Sequence, residues 1–485
     1  MFALLSRILG LLHDRRRATT PVTRSIPSSR RLSLKLRAAA IVTAIVTIAG
    51  AAAPAQAQGL IRDAEIEALM QDYSQPILEA AGLGSQNINI HLVSSENFNA
   101  FVVDGRNMFI HVGAIMKAQT PNQLIGVIAH EAGHIAAGHL SRLRGVMQRA
   151  QSASLMLQLL SMAAMAAGAA TGAGSDVVQG GQALMLGGQT ALMNTIMAYR
   201  RAEEYSADQA AVDYLNRTEQ SGRGMIEVFE YFAEREQAST GAINPYTSTH
   251  PISRDRIQQT KKLVRESPYY DRRDPQELQK RHNLARAKLE GFMNKNNPQA
   301  VFNKFPQSDD SLRARYARAI ARNFAAGIDE ALPDINGLIE TQPDNPYFHE
   351  LKGQFLLDSG QVEQAIPPLK QAIELAPDAG LIRIMLAQAL LAEGSDSNVK
   401  PAVDHLRKAL VTEDKSATGY RQLAIAYGRL NRIADAELAS AQAYFYEGKL
   451  DLAKKQAKRA KEGFPPHSAS WVKADDIVKF EPPQK

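Results

Sequence analysis

Small and turn-forming residues recur at a fixed interval in the last third of this chain, and that interval leaves few folds open. Ala331 and Ala365 stand 34 residues apart, as do Pro343 and Pro377, Ala402 and Ala436, and Ala409 and Ala443. A unit of that length holds two helices and their turns, too little to bury a core alone. Successive units must therefore stack on one another into an all-α solenoid. Between Ala365 and Ala402 the interval is 37, a difference that the loop from Gly394 to Asn398 absorbs. From Ala436 to Ala453 it falls to 17, as if one helix served two pairs.

Within a unit, Gly353, Gly360, Ala365, Ala372 and Pro377 fall on the small-residue and turn positions of a tetratricopeptide repeat, where helices cross too closely for larger side chains. Such a domain offers a groove to a partner and carries no chemistry of its own. The chemistry lies upstream, in the stretch VIAHEAGHIAAGHL from Val127 to Leu140. On a helix, His130 and His134 lie about 40° apart on one face, one turn above the other, so both imidazoles can reach one metal ion. Glu131 projects toward the same cleft, where its carboxylate can take a proton from water and pass it to a leaving amine. Thr120 and Pro121 supply the cap and first position of that helix.

Cysteine is absent from the 485 residues, so a zinc ion here must be held by histidine and carboxylate. Metzincins place a third histidine six residues after the second motif histidine, with a glycine at the third; those positions hold Leu140 and Ala137. His139 is one residue early, and its nine-residue offset from His130 turns it to the opposite face of a continuous helix, so it reads as structural. The better third ligand lies in RRAEEYSADQAAVDYL, where Glu204 and Asp208 are one turn apart. Glu204 can complete a His-His-Glu set and Asp208 can orient a ligating imidazole through its other nitrogen. Glu203 is the rival ligand; the four-residue pairing with Asp208 favours Glu204.

The order H-E-x-x-H, then E-x-x-A-D at Glu204 to Asp208, then Ser248-Thr249-His250-Pro251 with Arg256-Ile257, resembles the zinc peptidase family that includes the CAAX prenyl proteases and HtpX. The resemblance spans roughly residues 60 to 265. It implies that His130, His134 and Glu204 bind one zinc ion and that Glu131 is the general base and acid. It further implies that His250 can occupy the water position as a self-inhibiting switch. Arg256 stabilises either the anionic transition state or the local structure. The chain lacks the several membrane helices of the prenyl protease and HtpX branches, and a leader with C-terminal repeats is similar to the family's periplasmic members instead. For those, the resemblance implies degradation of misfolded or stalled outer-membrane proteins and docking on the outer-membrane assembly machinery through the repeats. A scaffold whose metal site stays closed is the alternative.

The formal charge of +6 is carried by the first 57 residues, where nine Lys and Arg stand against Asp14, or +8; the remainder is 6 minus 8, or −2. No basic field is left to attract nucleic acid. Lys35 and Arg37 precede AAAIVTAIVTIAGAAA and then Ala55-Gln56-Ala57, the order of a secretory signal peptide cleaved after Ala57, with an uncleaved anchor as the alternative. Residues 151–199 are rich in Met, Ala, Gly and Leu with Asp176 the only charge, and read as a helical hairpin hinged at Gly172 to Gly174. That hairpin is buried, or it touches a membrane peripherally or gates the substrate.

The expected architecture is thus a signal peptide over 1–57, then an α+β zincin-type metallopeptidase domain over 58–265, mostly helical with a small sheet. A helical linker over 266–308, the repeats over 309–475 and a tail over 476–485 complete the chain. The first helix, Asp63 to Ala81, is expected to be interrupted at Pro76. Ile88 to Val93 reads as a strand and Ala100 to Val112 as a hairpin turning at Asp104-Gly105. Phe109 to Val112 is the candidate edge strand for pairing with an extended substrate.

Overall fold

The computed structural model describes residues 59–171, 175–238 and 245–482. The expected leader and the Gly172–Gly174 hinge lie outside them. A short strand β1 (Leu60–Ile61) leads into α1 (Ala64–Ala80), capped by Asp63, whose carboxylate accepts from Ile66 N at 3.0 Å. This helix runs on through Pro76 instead of breaking there. Buried residues on both sides of the proline, Met70 and Tyr73 before it and Ile77 and Leu78 after it, hold the helix to the core across the missing hydrogen bond.

Strands β2 (Asn89–Val93), β3 (Ala100–Val102) and β4 (Asn107–His111) complete a four-stranded sheet in the order β1-β2-β4-β3. β3 and β4 form the expected hairpin, with Asp104 Oδ1 accepting from the backbone of Arg106 and Asn107 at 3.2 and 3.1 Å. β4 also pairs in parallel with β2 along its whole length, Asn89 opposite Asn107 through Val93 opposite His111. The segment expected at the sheet edge, Phe109 to Val112, is therefore interior, and the edges are β1 and β3. A parallel partner arriving from upstream leaves no local trace in the strand it covers.

Helix α2 (Val112–Lys117) turns the chain into α3 (Pro121–Ala136), which carries the H-E-x-x-H residues. The long helices α4 (His139–Thr171) and α5 (Ser175–Arg217) pack along each other, followed by α6 (Arg223–Ala238), α7 (Pro245–Thr249) and α8 (Arg254–Arg265). Among the described residues no helix is long and apolar enough to cross a membrane. Leu155, Met156, Leu159 and Leu160 of α4 and Leu186 of α5 are nevertheless mostly exposed.

Downstream, α9 (Gln276–Met293) and α10 (Pro298–Lys304) precede five helix pairs. These are α11 (Leu312–Ala326) with α12 (Ile328–Thr341), α13 (Pro346–Asp358) with α14 (Val362–Leu375), and α15 (Gly380–Ala392) with α16 (Val399–Thr412). α17 (Ala417–Arg429) with α18 (Ile433–Tyr446), and α19 (Leu450–Glu462) with α20 (Ala469–Lys479), finish the stack. Ala331, Ala365, Ala402 and Ala409, four of the residues that carry the repeat interval, are completely buried. The short final interval runs from Ala436 in α18, the second helix of one pair, to Ala453 in α19, the first helix of the next, so no helix is shared between pairs.

Helix α9 belongs to two cores at once. Leu284 and Ala287 join the solenoid's apolar cluster, whereas Ala285 and Leu289 join that of the sheet-bearing domain. One turn is pinned by Lys288, buried with its ammonium 2.8 Å from Asp63 and 3.4 Å from both Glu65 and Glu350. His282, also fully buried, places Nδ1 2.9 Å from the Tyr73 hydroxyl and Nε2 2.9 Å from the Ala118 carbonyl.

Burial pushes the His282 pKa down from 6.5 to about 4, against the opposing pull of the Ala118 carbonyl. The unfolded chain takes a proton on this ring near pH 6.5 and the native chain only near pH 4. Stability therefore rises with pH across that window and is lost as pH falls through it. Between pH 7 and pH 5 the loss expected from His282 is about 2 kcal/mol. Urea unfolding at the two pH values, compared between the wild type and His282→Gln, checks it: the variant has the flatter pH dependence.

Candidate metal centre

α3 begins where Thr120 Oγ1 accepts from Gln123 N and Pro121 takes the first helical position. Nearly every side of it is covered, and His130 and Glu131 are completely buried. α5 lies against it because residue 133 is glycine. A Cβ there would meet the Ala207 carbonyl oxygen at 3.0 Å and its Cα at 3.2 Å. Ala207 stands between Glu204 and Asp208, so this close approach delivers both carboxylates to the histidines.

The resulting donors converge. His130 Nε2 and His134 Nε2 are 3.0 Å apart, and the Glu204 oxygens lie 3.4 Å from the first and 3.5 Å from the second. His250 Nδ1 is 3.2 Å from His130 Nε2 and 3.2 Å from both Glu204 oxygens. An ion held tetrahedrally at about 2.0–2.1 Å, as by imidazole and carboxylate, has ligand atoms about 3.3 Å from one another. Three nitrogens and one carboxylate, all buried, thus have the spacing that a single metal ion needs. Glu131 stands beside them, both oxygens buried without an aligned hydrogen bond and His250 Nε2 3.3 Å away.

The sequence profile of peptidase family M48 matches residues 61–264, the stretch that contains all of these side chains. The chain carries a peptidase family M48 domain. Over 403 residues, 81% of this chain and 78% of the other, it is 23% identical to the beta-barrel assembly-enhancing protease of Escherichia coli. Over 299 residues it is 24% identical to the putative beta-barrel assembly-enhancing protease of Vibrio cholerae, of which the matched stretch covers 58%. Among solved structures, that of MamA matches 33% of this chain and 90% of its own at 19% identity, with a TM-score of 0.27.

Behind the donors of the M48 domain lies a second layer of charge. Asp208, wholly buried, is 2.9 Å from His130 Nδ1. Arg256 from α8 clamps Asp208 with two bonds, Nε to Oδ2 at 2.6 Å and Nη2 to Oδ1 at 2.8 Å. The same guanidinium reaches Glu204 Oε2 at 2.8 Å, donates to the Pro251 carbonyl at 3.1 Å and stacks over Phe229. Arg256 is thus engaged with two buried carboxylates, the arrangement of a structural ion pair.

These contacts set the charge states. Burial opposes a charge on His130, yet Asp208 and Glu204 outweigh it and lift the ring's pKa to about 9. Burial dominates at His134 and drives it to about 3. For Glu131 burial likewise prevails and raises the carboxyl above its ordinary range. Burial would also raise Glu204, but His250, His130 and His134 hold it well below the usual carboxylate range.

Glu203, the rival ligand, points away, with Oε1 accepting from the Tyr199 hydroxyl at 2.5 Å and facing Arg142 Nε at 3.4 Å. His250 follows α7, where its backbone N–H donates to the Tyr246 carbonyl at 2.7 Å and Arg200 holds the Thr249 carbonyl at 2.7 Å.

His139 departs from the helical-phase argument. α3 ends before it: Gly138 adopts φ +65°, reverses the chain and starts α4 at His139. The ring is not carried to the far face but returns to His134, their Nδ1 atoms 2.9 Å apart. The glycine just past a sixteen-residue helix was the available signal.

Proposed function

We propose that this chain is a zinc-dependent endopeptidase of the bacterial periplasm that degrades misfolded or stalled outer-membrane proteins and assists their assembly. The observation that carries the reading is the buried set His130, His134 and Glu204 with the Glu131 carboxylate, which has no aligned hydrogen bond, beside it. The two histidines and Glu204 would hold the ion. Asp208 fixes the imidazole of His130, and Arg256 holds Asp208 and Glu204 in place. Bound zinc supplies Lewis-acid polarisation of the scissile carbonyl and of water. Glu131, desolvated and above its ordinary pKa, takes the proton of the attacking water and returns it to the leaving amine.

The relatives named as beta-barrel assembly-enhancing proteases support outer-membrane proteins as substrates, and the leader pattern over residues 1–57 supports export. The solenoid is the docking arm for the outer-membrane assembly machinery. The exposed leucines and methionines of α4 and α5, with Arg142, Arg144 and Arg149 at the base of α4, support peripheral contact with a membrane.

One observation favours the second reading, a scaffold with a closed site: His250 Nδ1 stands at the fourth vertex of the donor set. In the enzyme reading this histidine is a switch that must leave for water to enter. The purified chain is expected to hold one zinc ion and to cleave an unfolded outer-membrane protein, with cleavage lost to a chelator and regained with zinc. In the same assay His250→Ala raises basal cleavage by about tenfold with zinc retained. Lower cleavage in that variant with zinc still bound would give His250 a catalytic or structural role instead.

A further inference from the structure

The zinc-site reading gives two of the proposed ligands a charged partner behind them, Asp208 for His130 and Arg256 for Glu204. The third, His134, is backed differently. Its Nδ1 faces the Nδ1 of His139 at 2.9 Å, the two rings meeting edge to face with centroids 4.9 Å apart. His139 is nearly inaccessible, and Arg142, one turn further along α4, faces Glu203, the neighbour of Glu204.

A hydrogen bond between two Nδ1 atoms admits one hydrogen, so one ring donates and the other accepts. A histidine that gives its Nε2 lone pair to a metal carries its hydrogen on Nδ1. His134 is then the donor, and His139 must present a bare Nδ1 with its own hydrogen on Nε2. Gly138 makes this possible: by ending α3 in a left-handed turn it brings the next side chain back over the last turn of the metal helix.

We propose that His139 is a positioning residue of the metal centre: it accepts the Nδ1 hydrogen of His134 and so fixes the tautomer and ring plane with which His134 meets the ion. The proposal rests on the reading of the site as a zinc centre. It also gives the base of α4 a direct hold on a ligand, so the start of the α4–α5 pair is part of the site's framework.

Asparagine carries its side-chain oxygen close to where histidine carries Nδ1, glutamine carries its oxygen nearer the Nε2 position, and phenylalanine keeps the ring with no acceptor. The test is the zinc dissociation constant of the full chain, measured by competition with a chromogenic chelator, for His139→Asn, His139→Gln and His139→Phe. The thermal midpoint of each metal-free protein is recorded alongside. The expected result is zinc binding weakened about 10- to 100-fold in the phenylalanine and glutamine variants and within about threefold of wild type in the asparagine variant. Wild-type affinity in either of the first two overturns the proposal. So does equal weakening of all three with equally lowered metal-free midpoints, the signature of a purely structural residue. A wild-type chain that takes up no zinc overturns the underlying reading itself, and is thereby distinguished from both.

Discussion

Glu131→Gln is expected to lower cleavage of an unfolded outer-membrane substrate by about 10²- to 10⁴-fold while zinc stays at one ion per chain. The two halves of that result come from different parts of the geometry. Glu131 is not among the four donors whose atoms converge, so its loss leaves the ion's ligands intact. It is the carboxylate beside them that has no aligned partner, and glutamine of the same size can neither take nor return a proton. Kinetics with saturating and subsaturating substrate, run beside metal analysis, measure both halves. Unchanged cleavage would remove Glu131 from the mechanism, whereas lost cleavage with unimpaired partner binding separates the enzyme from a scaffold.

The second large effect is expected from Arg256→Met. Asp208 has no exposed surface, and Arg256 supplies two of the hydrogen bonds that allow it to stay ionised there. Removing the guanidinium leaves a buried carboxylate with only Thr260, 3.3 Å away, and His130 for support. A broken buried pair of this kind costs about 3–5 kcal/mol. Urea unfolding of the metal-free chain followed by far-ultraviolet circular dichroism measures the loss. Amide exchange in α5 and α8 localises it, which fluorescence cannot do, because the single tryptophan, Trp471, lies in the last repeat helix. Adding Asp208→Asn to the variant is expected to recover part of the stability, since the orphaned charge goes with it. A variant as stable as wild type would show that the pair is not holding the site together.

Several of these features were legible before any fold was known. H-E-x-x-H and the one-turn spacing of Glu204 and Asp208 are statements about helical phase, and helical phase survives into the structure because both segments are helices throughout. The repeat interval pointed to the solenoid for the same reason: it is a local pattern written in small residues. What misled were the places where a local rule met a distant contact. Pro76 breaks an isolated helix, but the core on both sides of it keeps α1 whole. Phe109 to Val112 looked like an edge because its parallel partner β2 comes from outside the hairpin. His139 was placed by counting residues along a helix that stops at Gly138, so its return to His134 was invisible to the count. Arg256 could be flagged from its neighbourhood, but only the fold shows it clamping Asp208.

Helix α9 carries a consequence for selectivity. With Leu284 and Ala287 packed into one core and Ala285 and Leu289 into the other, neither side can slide along it without opening a void. A protein gripped by the repeats would therefore be delivered to the cleft at one reach and one bearing, not swept through a volume as on a flexible tether. Segments at that reach would meet a high local concentration of active site, and segments nearer or farther would meet almost none. Selection of the bond to be cut would then be metrical, a matter of how far the segment lies from the point of grip.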